Sequence, residues 1–210
     1  MNQGDYVEAA TARTAAEVEA FLADRLEESS RVTLRPLTFA DAEEFAALTQ
    51  ASAHLHQPWM SLPATPEDYR SYLGRFDHVK AQGLLVCLRD TGAIAGTVFL
   101  NDIIRGRFQN ASLAYAAFAP TAGKGYMSEG LRLVLGYAFE RLLLHRLDAQ
   151  IQPGNRASLK LVQRHGFRYE GYSPAMLFID GAWEDHERWA LTNDMFGPGP
   201  WPPHPSRPAR

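Results

Sequence analysis

Cysteine is almost missing. Cys87 stands alone among 210 residues, which excludes an intramolecular disulfide and any cysteine-based zinc site. It lies in the apolar run LLVCLR, the setting of a buried structural thiol. The seven histidines include no HExxH pair. His54 and His56 are two apart with no further ligand cluster beside them, so no metal is expected. No stretch approaches the ~18 apolar residues of a membrane span, and the N-terminus lacks the basic, apolar, small-residue progression of a signal peptide. A cytoplasmic protein without a membrane partner is the expectation. Positive charge is not in excess either: 21 Lys and Arg stand against 24 Asp and Glu, a net charge of -3. That leaves no basic footprint for direct nucleic-acid binding.

What is present is ordinary globular composition, 46% hydrophobic and 21% charged, in a length that suits one domain with tails. Residues 1–30 are rich in Ala and Glu, and Ala15, Val18, Leu22 and Leu26 fall at helical spacing, so an N-terminal helical extension is predicted. At the other end, GPGPWPPHPSRPAR holds six prolines and two glycines. Proline at that density prevents helix and sheet pairing, and residues 194–210 read as a disordered tail.

Between the tails, residues 31–193 form one domain of mixed pattern. Strands are predicted at 31–37, 84–90, 93–102, 110–118 and 145–151, with two more in FRYEGYSPAMLFI and HERWALT. Helices are predicted at 41–50, opened by Asp41, at 65–83, opened by Thr65-Pro66, and from 155 to 165, capped by Asn155 and stopped by Gly166. The clearest helix follows Gly125: Met127, Leu131, Val134, Leu135, Ala138 and Leu142 make one apolar stripe. The order is neither a regular βα alternation nor all antiparallel, which predicts an α/β (α+β) fold with a mixed sheet and helices on both faces.

The stretch TAGKGYMSEGL, 121–131, places Gly123, Lys124 and Gly125 at the mouth of that helix. A P-loop needs GxxxxGK followed by Ser or Thr; here Gly125 follows Lys124 and Phe118 stands where the first glycine belongs. A dinucleotide fingerprint needs a third glycine, and Ser128 occupies that position. A cradle of backbone N–H groups at a helix N-terminus explains the glycines better. The first helical turn has unpaired donors and a partial positive charge, and glycine lets an anion approach.

The stretch resembles the acetyl-CoA-binding motif of the GNAT superfamily of N-acetyltransferases, Gln/Arg-x-x-Gly-x-Gly/Ala, at Ala122, Gly123, Lys124, Gly125, Tyr126 and Met127. Ala122 replaces the polar first residue and Met127 the small last one. PGNRASLKLVQRHGF at 153–167 resembles the family's Asn-x-x-Ser…Gly-Phe segment. The stretches 166–191 and HLHQPWM at 54–60 are similar to the branch that acetylates N-terminal alanine of ribosomal proteins. The resemblance covers about 31–193 and implies the GNAT fold, with a mostly antiparallel splayed sheet, and acetyl-CoA as cosubstrate.

It also implies site residues. Residues 123–128, Ser128 included, would hold the pyrophosphate. Backbone groups at Ala116 and Phe118 would meet the pantetheine arm. Asn155 would contact the arm and Ser158 would donate to the departing thiolate, although both residues also fit plain helix capping; Tyr169 and Tyr172 are the alternatives to Ser158. Asp185 is the leading base candidate, beside His186, Glu187 and Asp102. Asp185 also fits a turn and Glu129 a helix dipole. His56, Trp59 and Met176 would line the acceptor side; Tyr115 reads as packing first. The expected acceptor is the N-terminal alanine of a ribosomal protein. The alternatives are a small amine such as an antibiotic, polyamine or amino acid, or a module that binds acetyl-CoA without turnover. Monomer and homodimer are equally compatible with the sequence.

Overall fold

The computed structural model describes residues 27–197; most of the expected N-terminal helical extension (1–26) and of the expected proline-rich tail (198–210) lies outside the described residues. The sheet comprises β1 (Glu27–Glu28), β2 (Val32–Pro36), β3 (Gln82–Leu88), β4 (Ile94–Ile104), β5 (Asn110–Ala117), β6 (Arg146–Ile151), β7 (Arg168–Ile179) and β8 (Ala182–Thr192). Their spatial order is β1-β2-β3-β4-β5-β6-β8-β7. The helices are α1 (Ala42–Ala51), α2 (Ala53–His56), α3 (Pro66–Leu73), α4 (Tyr126–Gly136), α5 (Arg156–Arg164) and α6 (Asn193–Phe196).

The central strands read as continuous apolar runs because both faces are covered. Along β3, Leu84 and Val86 enter one core while Leu85 and Cys87 enter the other. The first core carries the α4 stripe with Leu159 and Val162 of α5. The second is aromatic, built from Phe45 of α1, Tyr69 of α3, Phe76, Phe99 and Phe118. Gly130 lets α4 approach β3 closely, since a Cβ there would lie 2.5 Å from the Val86 side chain.

Every neighbouring pair is antiparallel except β5 and β6. That parallel pair has only three register positions, Asn110 with Arg146 through Ser112 with Asp148. Past them, Ser112 Oγ still reaches Gln150 Oε1 at 2.9 Å, and the strands then part. The splay opens the sheet at the C-terminal ends of two adjacent strands, directly before α4 and α5.

Several boundaries differ from the sequence reading. The helix expected over 65–83 ends at Leu73. Asp77 ends it for good: its Oδ1 accepts the N–H groups of Val79, Lys80 and Ala81 at 3.0, 2.6 and 3.1 Å, closing a local turn instead of a helical one. Within the expected helical extension, Glu27 and Glu28 pair as strand with Leu34 and Thr33. The first residues of the expected tail, 194–196, belong to α6, anchored where Phe196 meets Phe139 at 5.4 Å. The Asp180–Gly181 turn joining β7 to β8 has φ of 48° and 92°, the left-handed pair that a tight hairpin requires.

Candidate active site

The splay holds a cleft of about 540 Å³. One wall is the loop before α4. Gly123 and Gly125 have φ of +76° and +86°, a conformation that L side chains rarely adopt. The turn is closed from behind by Thr121 and Ala122, whose N–H groups donate to the Phe118 carbonyl. The backbone N–H groups of residues 123–127 find no acceptor among the described residues. Five free donors thus converge at the positive end of α4, a site for a phosphate-type anion. From α5, Lys160 and Arg164 line the same cleft.

The glycines do different things. A Cβ on Gly123 would meet nothing within 4 Å, whereas one on Gly125 would point at Arg31 Nη2, 3.2 Å away. Gly125 is therefore required by its φ and by Arg31 behind the loop as much as by any ligand in front. Met127, where the motif has a small residue, fills room left by another glycine: a Cβ on Gly96 of β4 would fall 2.1 Å from Met127 Sδ and 2.6 Å from the Ala116 carbonyl.

Opposite the loop stands the start of α5. Asn155 caps it, its Oδ1 accepting the Ser158 N–H at 3.1 Å. This is the capping arrangement the spacing suggested, and both residues also line the cleft. The Ser158 hydroxyl makes no hydrogen bond among the described residues and so is free to donate. Tyr115 spans the opening and donates to the Ser158 carbonyl at 3.3 Å. Burial pushes its phenol up to about 12, against the lowering effect of that bond, so it stays protonated. Ser128 lines the cleft and shares a 3.0 Å hydrogen bond with His165 Nε2. Burial, then the charges of Arg164 and Arg132, lower the His165 pKa and favour a neutral ring.

The remaining wall comes from α2 and the loop after it. His56 is 6% exposed and its Nε2 sits 2.8 Å from the Ala117 carbonyl at the end of β5. A carbonyl only accepts, so Nε2 carries the proton, and Nδ1 is left buried without a partner among the described residues. Trp59 lies over Gly154, where a Cβ would be 2.9 Å from its ring. Ser61 then bonds Asp180 at 2.8 and 3.0 Å, tying this loop to the β7–β8 turn.

Of the residues singled out in the sequence, the cleft gathers Ala116, Gly123, Gly125, Tyr126, Met127 and Ser128 with Asn155, Ser158, His56 and Trp59. Others stand elsewhere. Phe118 is fully buried in the aromatic core, edge-on to Phe45, and its N–H is spent on Ala95. The Lys124 ammonium folds back onto the Pro120 carbonyl at 3.0 Å. Asp185 is on the β7–β8 hairpin, outside the cleft lining, where it accepts the Tyr172 hydroxyl and the Ala175 N–H. Those bonds, Tyr172 first, hold its carboxyl below the ordinary range, the wrong direction for a base. Met176 belongs to the same hairpin and does not line the cleft. Tyr169 packs on Trp189 and Tyr172 bonds Asp185, so neither is a cleft tyrosine. The tyrosines that line the cleft are Tyr115 and Tyr126, and Tyr115 is the one that meets Ser158. His186 is turned to the Glu184 carbonyl and Glu187 to the Trp189 indole, while Glu129 is bound by Arg31. Asp102 is exposed on β4, outside the lining. Sequence reasoning missed Lys160, Leu161 and Arg164. Their spacing along α5 after the Asn155 cap was a usable signal, because one helical turn separates residues on a common face.

Comparison with known proteins gives the family. Residues 31–168 match the acetyltransferase (GNAT) domain model. The chain is 33% identical over 170 residues to "Probable N-acetyltransferase YjcK" of Bacillus subtilis, covering 77% of this chain and 94% of that protein. It is 30% identical over 179 residues to the "[Ribosomal protein uS5]-alanine N-acetyltransferase" of Escherichia coli, covering 81% and 92%. Among solved structures, the ribosomal-protein-S5-alanine acetyltransferase of Vibrio fischeri superposes with a TM-score of 0.72 at 28% identity, over 83% of this chain and all of that one. Mycobacterium smegmatis RimJ in complex with CoA-disulfide gives 0.74 at 25%, over 80% and 85%. The free amides, the glycine loop and the cations of α5 fit the phosphates of coenzyme A, and the chain belongs to the GNAT acetyltransferase family as an N-acetyltransferase whose acetyl donor is acetyl-CoA.

Proposed function

We propose that this enzyme acetylates the α-amino group of a protein N-terminus, with alanine first and a ribosomal protein as the parent chain, in the cytoplasm. The amine nitrogen bonds the acetyl carbon and gives up one proton, the carbon–sulfur bond breaks, and the thiolate takes one proton. The Ser158 hydroxyl, free in the cleft, is assigned that last donation, with Tyr115 bracing the Ser158 backbone. The amides of residues 123–127 with Lys160 and Arg164 take the phosphates of the donor. Met176 and Asp185 belong with the acceptor side only as parts of the hairpin that Ser61 ties to the cleft.

One observation carries the choice of acceptor: among the described residues, no Asp or Glu lines the cleft. An α-amine has an ordinary pKa near 7.7–8.0 and is partly neutral at physiological pH, whereas a lysine or polyamine nitrogen near 10.4 needs a strong base or an anionic site to reach the reactive form. A lining with cations and no carboxylate suits the first and disfavours the second. The relatives named for ribosomal-protein alanine support the same reading. A thiol-release panel tests it, setting short peptides that begin with Ala, Ser or Met, and an acetyl-blocked Ala peptide, against polyamines, aminoglycosides and free amino acids. Ala- and Ser-starting peptides are expected to lead and the blocked peptide to be inert. Turnover of a small amine orders of magnitude faster than every peptide sinks the assignment.

A further inference from the structure

The β7–β8 hairpin carries an aromatic surface that no part of the catalytic cleft uses. Phe178 and Trp183 are direct cross-strand partners, so their side chains share one face of the hairpin. Their rings lie 5.6 Å apart at 62°, and they are 62% and 63% exposed. Side chains alternate along β8, which puts Asp185 and Glu187 on that face with Trp183. Tyr172, the partner of Glu187, stands there too. Asp185 and Glu187 bond only neutral donors, Tyr172, Ala175 and Trp189. From residue 169 to 187 the chain has no lysine or arginine, and no ion pair reaches either carboxylate among the described residues. Arg188, the next residue, turns to the Glu170 carbonyl, and rings with open faces beside carboxylates that no ion pair engages attract a cation over the ring.

The surface is continuous with the acceptor wall. Trp59 and Met60 line the cleft, and the next residue, Ser61, bonds Asp180 of the hairpin turn. Phe178 is two residues from Asp180 along β7. At about 3.3 Å per extended residue, a chain leaving the cleft beside Trp59 reaches the aromatic pair after roughly five to eight residues.

Building on the N-terminal acceptor reading, we infer that Phe178 and Trp183 bind a lysine or arginine side chain about five to eight residues after the acetylated N-terminus, and so select acceptors with a basic leading segment. The test uses the full-length enzyme and Ala-starting twelve-residue peptides that carry Lys or Gln at positions 5–8, with alaninamide as an acceptor too short to reach the hairpin. The Lys peptide is expected to exceed the Gln peptide in kcat/KM by about tenfold, less at high salt. In the Phe178→Ala/Trp183→Ala variant the preference collapses, while alaninamide turnover and coenzyme A affinity stay within about twofold. Equal kcat/KM for the two peptides, or a preference that survives the double substitution, overturns the inference while leaving the N-terminal acceptor intact. A double variant that changes oligomeric state but keeps the preference assigns the face to contact between copies of the chain and overturns it as well. If no peptide is acetylated while a small amine is, the acceptor reading falls and this one falls with it.

Discussion

Arg31 holds Glu129 from 98 residues away: its Nε donates to Glu129 Oε1 at 2.6 Å, and a second guanidinium nitrogen contacts the same carboxylate. Its Nη1 donates to the Lys124 carbonyl at 3.2 Å, and the guanidinium lies over the Tyr126 ring at 4.9 Å. Ser29 adds a 2.8 Å bond to Glu129. The turn between β1 and β2 thus braces the glycine loop from behind, leaving the loop amides free in front. Arg31→Ala and Glu129→Ala should weaken coenzyme A binding several-fold by calorimetry, with little change in the melting temperature because the pair is largely solvated. The Arg31 hydrogen bond holds the Glu129 carboxyl below its ordinary value. For a depressed carboxyl the contribution is complete above the ordinary carboxylate range and is lost as pH falls through the lowered value. Coenzyme A affinity should therefore show no loss from this pair between neutral and mildly acidic pH.

The glycine loop was legible in the sequence and its back side was not. GKG before an apolar stripe announced a helix mouth with open amides. Arg31, in the turn before β2, announced nothing, because the contact that fixes the loop is created by the sheet. Gly125→Val is expected to abolish coenzyme A binding by forcing a residue at φ +86° to change conformation and by displacing Arg31. Gly123→Ala is strained by its own φ of +76° but has open space at its Cβ and displaces no side chain, so it should lose less than Gly125→Val. Equal losses in the two variants would contradict this distinction.

Gly96 and Met127 are matched. A strand glycine has no conspicuous reason in sequence, and a methionine in place of a small residue looked like a departure from the motif; each explains the other once β4 lies under α4. Gly96→Ala should destabilise the fold by about 1–3 kcal/mol in denaturant unfolding. Met127→Ala in the same chain should recover part of that loss, but not all, since the Ala116 carbonyl at 2.6 Å stays in the way.

Ser158→Ala is expected to lower kcat with little change in the apparent constant for acetyl-CoA, since the proposed bond forms as the thiolate leaves. Tyr115→Phe removes only the brace on the Ser158 carbonyl and should cost less. Tyr169→Phe and Tyr172→Phe should be silent with alaninamide. The periodicity of FRYEGYSP placed both tyrosines on a strand but did not reveal which way that strand faced. A crippled Tyr172→Phe beside an active Ser158→Ala would reverse the assignment of the acid.

His56 concerns the proton that must leave the attacking amine. The sequence offered Asp185, His186, Glu187 and Asp102 as bases, yet the fold keeps Asp185 and Glu187 on a surface outside the cleft. Among the described lining residues, the His56 imidazole offers a ring nitrogen with an unused lone pair. His56 donates through Nε2 to the Ala117 carbonyl, which leaves Nδ1 as the acceptor, buried and unpartnered. If the amine proton passes to His56, His56→Gln should keep coenzyme A binding and lower kcat/KM for the peptide. The loss should shrink as pH rises, because more of the α-amine then arrives already neutral. A purely structural role at the end of β5 predicts a different profile: kcat/KM would fall by the same factor at every pH, and the melting temperature would fall with it.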